Sequence, residues 1–380
     1  MQCYHGSLVE DTHVRVGIVG LPLVGKSTIF NLLTHGHVDT SSWGSGKGEA
    51  HIGVAQVPDP KLERLYEIFQ PPKITYATVE YVDLPGLSRG EGKSIDSHEM
   101  SAYLANLKNV DALVQVVRAF EDENIPHPEG GNDPNRDIGL FELEMLFSDL
   151  AIVEKRLERL SKDLKKAKTP ELELENAVLE RFRGALEQEQ PLRELPLTEE
   201  EHRRVRGFTF LSAKPMLLVI NLGDRDVGRI SRVTQEFGLE RQAAQKNIGI
   251  TAVCGKIEAE IADLPDEDAA IFMQDLGLTA SGLSRIIQES YSLLGLISYY
   301  TAGEPEVRAW TIPRNTTAQQ AAGIIHSDFE RGFIKAEVVA YEEMIRFGSF
   351  AAARSKGALR LEGKEYLVQE GDVILFRFNV

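Results

Sequence analysis

A glycine-rich segment near the start of the chain has the residue types and spacing of a phosphate-binding loop. Gly20-Leu-Pro-Leu-Val-Gly25-Lys26-Ser27-Thr28 fits the pattern G-x-x-x-x-G-K-[ST]. The glycines let backbone N–H groups converge on a phosphate, the lysine reaches the β- and γ-phosphates, and the hydroxyl can bind Mg²⁺. The segment therefore predicts a nucleoside triphosphate site. The predicted nucleotide contacts on this loop are Leu23, Val24, Gly25, Lys26, Ser27 and Thr28.

A carboxylate further along the chain is the natural partner of this loop. Asp83, in Asp83-Leu-Pro-Gly86, follows an apolar segment and comes 57 residues after Lys26. A carboxylate at a strand end, with glycine three residues later, is typical of a position that senses Mg²⁺ and the γ-phosphate. We therefore predict Ser27 and Asp83 as Mg²⁺ ligands, and Lys26, Asp83 and Gly86 as the hydrolytic residues.

A third group begins at the last residue of the apolar run MLLVIN, at 216–221. Asn221, Leu222 and Asp224 stand where a nucleotide-binding sheet places the residues that read the base. Asn221 can bond the base edge or brace the phosphate loop, and a simple Asx turn is the structural alternative. Cys254 and Gly255 complete the predicted nucleotide-binding set.

The segments around these residues alternate between strand and helix patterns. VRVGIVG, VEYVDLPG, DALVQVVRAF and MLLVIN are predicted as buried strands, and KSTIFNLLT as a helix. Such alternation predicts an α/β fold with a parallel sheet covered on both faces. We assign this nucleoside triphosphatase (NTPase) domain to 14–136 and 209–302.

A charged, helical segment, 137–208, interrupts this domain. Its first apolar stripe is Ile152, Leu157, Leu160 and Leu164, and its second is Leu172, Leu174, Ala177, Leu179 and Phe182. Thr169-Pro170 separates the two stripes, since proline breaks a helix. The pattern predicts an inserted antiparallel helical hairpin.

The remaining segment, 303–380, predicts a β-rich α+β domain. EVRAWTIP, AEVVAYEEM, LEGKEYLVQ and DVILFRFNV have strand patterns, and TTAQQAAGIIHSDF has a helix pattern with Thr316 or Thr317 as its N-cap. Glu370-Gly371-Asp372 has the residue types of a turn.

Composition excludes several classes of protein. The chain has 380 residues, a formal net charge of −16 and two cysteines. Its apolar runs are shorter than a bilayer requires, and its first residues lack the pattern of a signal peptide. Broad wrapping of nucleic acid needs many cations, so the charge argues against a DNA partner. We therefore expect a cytoplasmic protein without a membrane partner.

Local basic segments leave an RNA partner open. The hairpin contains the run Lys155, Arg156, Arg159, Lys162, Lys165, Lys166 and Lys168. It is either a solvated helix face or an RNA-contacting face. Arg331 and Lys335 in the C-terminal segment allow the same two interpretations.

The chain resembles the YchF/Obg-like ATPase family, a branch of the P-loop NTPases related to translation factors. The resemblance covers nearly all of the chain from Val14 onward. It rests on GIVGLPLVGKSTIFNLLT, VPDPKLERL, ATVEYVDLPGL, VVRAFEDENI and KIEAEIADL, and above all on EVRAWTIPRNTTAQQAAGIIHSDFERGFIKAEV and LRLEGKEYLVQEGDVILFRFNV. It implies an NTPase domain with an inserted helical hairpin and a C-terminal TGS-type, ubiquitin-like domain. It also implies Mg²⁺ as cofactor, slow hydrolysis of ATP more readily than GTP, and the ribosome, with its large subunit expected, or ribosomal RNA as partner.

This chain departs from the family pattern at several positions. The family has N-x-x-E where guanine readers have N-K-x-D, whereas this chain combines Leu222 with Asp224. Lys47 stands near the place of the first-switch threonine, and Leu87 stands where Ras-like enzymes orient water with glutamine. His98, Glu99 and Gln115 are remote alternatives for that polar group. The departures leave a second hypothesis open: a nucleotide-responsive ribosome- or RNA-binding module with little hydrolysis.

Overall fold

The computed structural model describes residues 14–34, 51–84, 103 and 105–379. The predicted positions Lys47, Gly86, Leu87, His98 and Glu99 lie outside these residues. The described strands, β1 to β12 in chain order, are Arg15–Val19, His51–Gln56, Lys73–Thr75, Thr78–Asp83, Ala112–Ala119, Met216–Leu222, Ile248–Val253, Leu296–Ala302, Glu306–Pro313, Phe333–Ala340, Arg360–Glu362 and Asp372–Phe378.

Helices follow or connect most of these strands. The described α-helices, α1 to α14 in chain order, are Lys26–Leu33, Pro60–Phe69, Pro134–Lys166, Pro170–Leu186, Glu199–Val205, Val233–Glu236, Glu240–Ala243, Gly255–Ala262, Asp266–Asp275, Gly282–Leu293, Ala318–Ile325, Ser327–Arg331, Tyr341–Phe347 and Phe350–Ser355.

The first sheet has the strand order β2-β4-β1-β5-β6-β7. β1 pairs with β5, β5 with β6, and β6 with β7, all in parallel. Strands β1, β5 and β6 are nearly continuous runs of buried residues, as expected for a parallel sheet covered on both faces. The order reverses at β1, and ligands of such sheets bind at the carboxyl ends of the strands beside that point. The predicted α/β fold is confirmed.

The helical hairpin is formed by α3 and α4. Pro170 begins α4, and the Thr169 side chain caps it by accepting a hydrogen bond from Leu172 N. Leu157 and Leu160 are buried against Val178 and Leu179 of α4. The predicted helical insertion is therefore confirmed.

The hairpin has one feature that the sequence pattern did not indicate and one residue, Ala177, for which the prediction is wrong. α3 begins at Pro134, and its first turns bury Ile138 and Phe141 in the core beside the first sheet before its later turns reach α4. Ala177 is exposed, because Val178, one residue and about 100° further round the helix, takes the inward position.

The second sheet has the order β11-β10-β12-β8-β9-β3. Thr317 caps α11 in a capping box with Gln320, as one of the two predicted caps. Only the first two residues of LEGKEYLVQ lie in a strand, β11, and the end of AEVVAYEEM is helix α13, so these two strand predictions are wrong in part. The turn at Gly371 (φ +88°) ends that loop before β12.

The described residues divide into two compact units. One contains the described residues within 15–54 and 81–293, and the other contains residue 14 with 55–80 and 294–379. The predicted domain boundaries, which group 55–80 with the NTPase domain, stay predictions. Within the described part of the chain, no helix is both long and apolar enough to cross a bilayer.

Candidate nucleotide-binding site

The glycine-rich loop connects the end of β1 to the start of α1. Gly20 has φ +139°, and a Cβ there would lie 2.3 Å from the Val116 carbonyl oxygen. Gly25 has φ +98°, and a Cβ there would lie 2.5 Å from Asn221 Nδ2. Both positions therefore require glycine. Leu23 is exposed at the loop tip and Val24 is buried beneath it. The loop ends where α1 begins, and the first N–H groups of a helix are unpaired within it and available to an anion.

Lys26 occupies the first turn of α1, with only 8% of its surface exposed. Its Nζ donates to the carbonyl oxygens of Gly20 (3.0 Å) and Leu21 (2.7 Å). Burial lowers the pKa of Lys26 to about 8, and the charge of Asp83 opposes that shift. The ammonium group is thus held over its own loop, where a bound triphosphate would provide stronger acceptors.

Ser27 and Asp83 lie together beside Lys26. Ser27 Oγ donates to Asp83 Oδ2 at 2.9 Å. Burial raises the pKa of Asp83, while the Ser27 hydrogen bond and the Lys26 charge lower it. Asp83 Oδ1 is buried and has no hydrogen-bond partner among the described residues. The structure thus brings together the two predicted metal ligands, which are 56 residues apart in sequence.

This pair fits a magnesium ion that arrives with phosphates. Hydroxyl and carboxylate oxygens are hard ligands, and Mg²⁺ usually takes one or two protein ligands beside phosphates and water. Among the described residues, no group of three or more His, Cys, Asp or Glu side chains could hold a metal. Ser27 and Asp83 would therefore share the ion with the nucleotide.

Asn221, at the end of β6, ties two backbone segments together. Its Nδ2 donates to the Val24 carbonyl oxygen (2.9 Å), and its Oδ1 accepts from Gly255 N (3.1 Å). Of the two roles that the sequence allows, the geometry is that of a brace for the phosphate loop. Gly255 begins α8 and Cys254 precedes it, with a buried thiol whose pKa is raised by burial. Thr28 is exposed, and its Cγ2 would lie 3.8 Å from a Cβ on Gly255.

The base-reading end contains one buried and one exposed predicted residue. Leu222 is 2% exposed and belongs to the core of the first sheet, so its side chain is directed away from the site surface. Asp224 is exposed, and its Oδ2 accepts a hydrogen bond from Lys256 Nζ at 2.8 Å. That bond lowers the pKa of Asp224 and raises the pKa of Lys256.

Two residues at this end were missed by sequence reasoning. Lys256 directly follows the predicted Gly255, and its position in the first turn of α8 could have drawn attention to it. Phe120 follows β5, and its Cβ would lie 3.6 Å from a Cβ on Gly223. The Arg118 guanidinium stacks 4.4 Å from the Phe120 ring centroid and donates to the carbonyl oxygens of Phe120 and Ile125. The rule that ligands bind at the carboxyl ends of parallel strands is the signal that could have found Phe120.

Gln115 does not reach this surface. It is 1% exposed within β5, and its Nε2 donates to the carbonyl oxygen of Asp137 in α3 at 3.3 Å. The side chain therefore joins the sheet to the long helix instead of facing a nucleotide.

Comparison with protein-family models matches both parts of the chain. A model described as MMR_HSR1, 50S ribosome-binding GTPase, matches residues 15–138. A model described as YchF-GTPase_C, Protein of unknown function (DUF933), matches residues 296–379.

Individual proteins are similar over nearly the whole length. A Bacillus subtilis protein named ribosome-binding ATPase YchF is 43% identical over 367 residues, covering 97% of this chain and 100% of the relative. A protein of the same name from Escherichia coli O157:H7 is 40% identical, covering 96% and 99%. The solved structure of the Schizosaccharomyces pombe YchF GTPase is 31% identical, with a TM-score of 0.83 over 96% of this chain and 98% of that one.

Proposed function

The chain belongs to the YchF family, and on that premise we propose that it is a ribosome-associated NTPase that uses Mg²⁺ and prefers ATP to GTP. The observation that carries the proposal is the cluster of Lys26, Ser27 and Asp83 under a glycine-rich loop at the carboxyl ends of the parallel strands. Curated relatives at 40–43% identity carry the name ribosome-binding ATPase. A cytoplasmic location agrees with that role.

The residues divide the work by charge and position. Lys26 neutralises the β- and γ-phosphates, and the N–H groups at the start of α1 hold their oxygens. Ser27 and Asp83 would hold Mg²⁺, which supplies positive charge to the phosphates when bound. Asn221, at the end of β6, holds the phosphate loop through its hydrogen bond to the Val24 carbonyl oxygen. Catalysis would be electrostatic and positional, with no covalent intermediate.

Preference for ATP is supported by the absence, at position 222, of the lysine that guanine readers pack on the base. Guanine readers pack a lysine on the base at the position of Leu222, which here is buried in the core. Asp224 alone retains the guanine-reading residue type, and its carboxylate is engaged by Lys256. Dissociation constants for ATP and GTP, measured with Mg²⁺, test this part; tighter binding of GTP would contradict it.

Phosphate release by purified protein, with and without ribosomes, tests the enzymatic part. We expect slow ATP turnover that exceeds the background of Lys26→Met and rises when ribosomes are added. Turnover equal to that background under both conditions would instead favour a nucleotide-responsive binding module with little hydrolysis.

The outer face of α3 is the proposed contact with ribosomal RNA. Lys155, Arg159, Lys162 and Lys166 are exposed and recur at the spacing of one helix face, opposite the buried seam of Leu157 and Leu160. They extend over about 16 Å of helix. Residues 155–168 include seven basic and two acidic side chains in a chain of net charge −16. This contrast favours an RNA phosphate backbone over a merely solvated face.

Charge reversal tests this surface. Lys155→Glu with Arg159→Glu should weaken ribosome co-sedimentation. The slope of log affinity against log salt concentration should become shallower by about one unit for each phosphate that is no longer neutralised. The matched control is Arg241→Glu with Lys246→Glu, two exposed cations of the same unit that lie off α3, beside the segment 188–194 that follows α4. Equal reductions in the two double variants would contradict a contact at α3.

A further inference from the structure

The ion pair between Asp224 and Lys256 lies at the base-reading end, and its consequence for base choice rests on the proposed function. Asp224 follows β6, and Lys256 lies in the first turn of α8. The Nζ–Oδ2 distance is 2.8 Å, with side-chain exposures of 68% for Lys256 and 47% for Asp224. The pair is therefore open to solvent and within reach of a ligand.

Asp224 by itself has the chemistry of a guanine reader. A carboxylate is only an acceptor, and guanine offers it two donors, N1–H and the N2 amino group. Adenine presents a lone pair at N1 and no amino group at C2, so the same carboxylate repels it. The residue type at 224 therefore favours GTP, in opposition to the ATPase activity named for the curated relatives.

We propose that Lys256 is a positioning residue for base selection, which holds the Asp224 carboxylate, weakens it as a guanine acceptor and so shifts the preference towards ATP. Lys256 acts through Asp224 and takes no part in phosphate hydrolysis. The ligand chemistry that the pair discriminates is the Watson–Crick edge of a purine.

The backbone keeps the two partners in place. Asn221 Oδ1 accepts from Gly255 N, which joins the end of β6 to the start of α8. Asp224 is three residues beyond one end of this tie, and Lys256 is one residue beyond the other. The mutual hydrogen bond lowers the pKa of Asp224 and raises that of Lys256, so both groups stay charged at neutral pH. Because the pair is exposed, salt screens it and its effect on affinity is modest.

The test compares ATP and GTP dissociation constants, with Mg²⁺, in wild type, Lys256→Gln and Lys256→Arg. We expect Lys256→Gln to shift the ratio of affinities towards GTP by about two- to fivefold, the scale of an exposed ion pair. Lys256→Arg preserves the pair and should keep the wild-type ratio. In an Asp224→Asn background, Lys256→Gln should leave the ratio unchanged, because the group through which Lys256 acts has lost its charge.

Lys246→Gln is the matched control. Lys246 is an exposed lysine of the same unit that precedes β7, whereas Lys256 follows it. The two lysines lie beyond opposite ends of β7. The six residues of this strand separate them by about 20 Å along its axis. Its substitution should leave both affinities as in wild type.

The outcomes separate the two proposals. An unchanged ATP/GTP ratio in Lys256→Gln, or an equal loss of affinity for both nucleotides, overturns the role of Lys256 and leaves the ATPase assignment intact. A wild type that prefers GTP contradicts the proposed ATP preference, yet the further shift in Lys256→Gln still tests this inference. A wild type that binds neither nucleotide overturns both.

Discussion

The phosphate end and the base end of the candidate site differ in how deeply their charged side chains are buried. At the phosphate end, Lys26 and Asp83 are each only 8% exposed; Lys26 donates to two backbone carbonyl oxygens, and Asp83 accepts from the Ser27 hydroxyl. At the base end, the ion pair of Asp224 and Lys256 is open to water, with side-chain exposures of 47% and 68%. Charges interact far more strongly when buried than when exposed, because water and salt screen the exposed pair.

The difference separates affinity from selectivity. Every nucleoside triphosphate has the same phosphates, so the buried end binds ATP and GTP alike. The exposed end meets the part that differs between them, so a change of residue type at 224 should alter the choice of base more than the affinity for the phosphates. Substitutions at the phosphate end should therefore affect both nucleotides equally.

The largest expected effect is that of Lys26→Met. Removing the ammonium eliminates charge-assisted hydrogen bonds to two phosphates, so affinity should fall by more than about a hundredfold for ATP and for GTP. Titration calorimetry measures both constants, and a thermal melt checks that the variant folds. A loss confined to one nucleotide would break the separation between the two ends.

Gly25→Ala should have the next largest effect. The left-handed backbone (φ +98°) and the 2.5 Å approach to Asn221 Nδ2 leave no room for a methyl group. We expect a destabilisation of about 1–3 kcal/mol and a loss of nucleotide affinity of about tenfold or more. Gly139→Ala is the control, since a Cβ there meets nothing within 4 Å, and it should melt at or above the wild-type temperature.

Nucleotide affinity should also depend on pH through Lys26. Its pKa is lowered to about 8, and bound phosphates would raise it again, so binding favours the charged form. Affinity should be full below pH 8 and fall by about tenfold between pH 7 and pH 9. ATP and GTP should show the same slope, and Lys26→Met should show none. A flat profile in wild type would contradict the buried, shifted lysine.

Asn221→Ala should have the smallest effect on binding. It leaves the Val24 carbonyl and the Gly255 N–H without their partner, so unfolding free energy should fall by about 1–3 kcal/mol for each buried group. Affinity should fall a few-fold for both nucleotides, with their ratio unchanged, because Asn221 acts as a brace. A change in the ratio of ATP to GTP affinity would assign Asn221 to base reading and would contradict the separate roles of the two ends.

The sequence predicted the elements that depend on local pattern. The strand–loop–helix from β1 to α1 follows from glycines and a buried apolar run, and Thr317, one of the two predicted caps, bonds the next turn of its own helix. The α3–α4 hairpin was predicted because proline separates two amphipathic stripes. The start of α3 was not predicted. Its first turns bury residues against the sheet and its later turns bury residues against α4, so the helix has no single apolar stripe along its length.

By itself, the sequence determined the α/β fold and the phosphate loop, since both are encoded in short segments whose backbone requirements allow few alternatives. Only the tertiary structure decided the role of Asn221, the burial of Leu222 and the pairing of Asp224 with Lys256. Those three depend on how β6, β7 and α8 meet at the sheet edge. These contacts join segments about 30 to 200 residues apart, and such contacts produce no periodic pattern in the sequence. A sequence motif can therefore identify the phosphate end, whereas the base end can be described only from the folded structure.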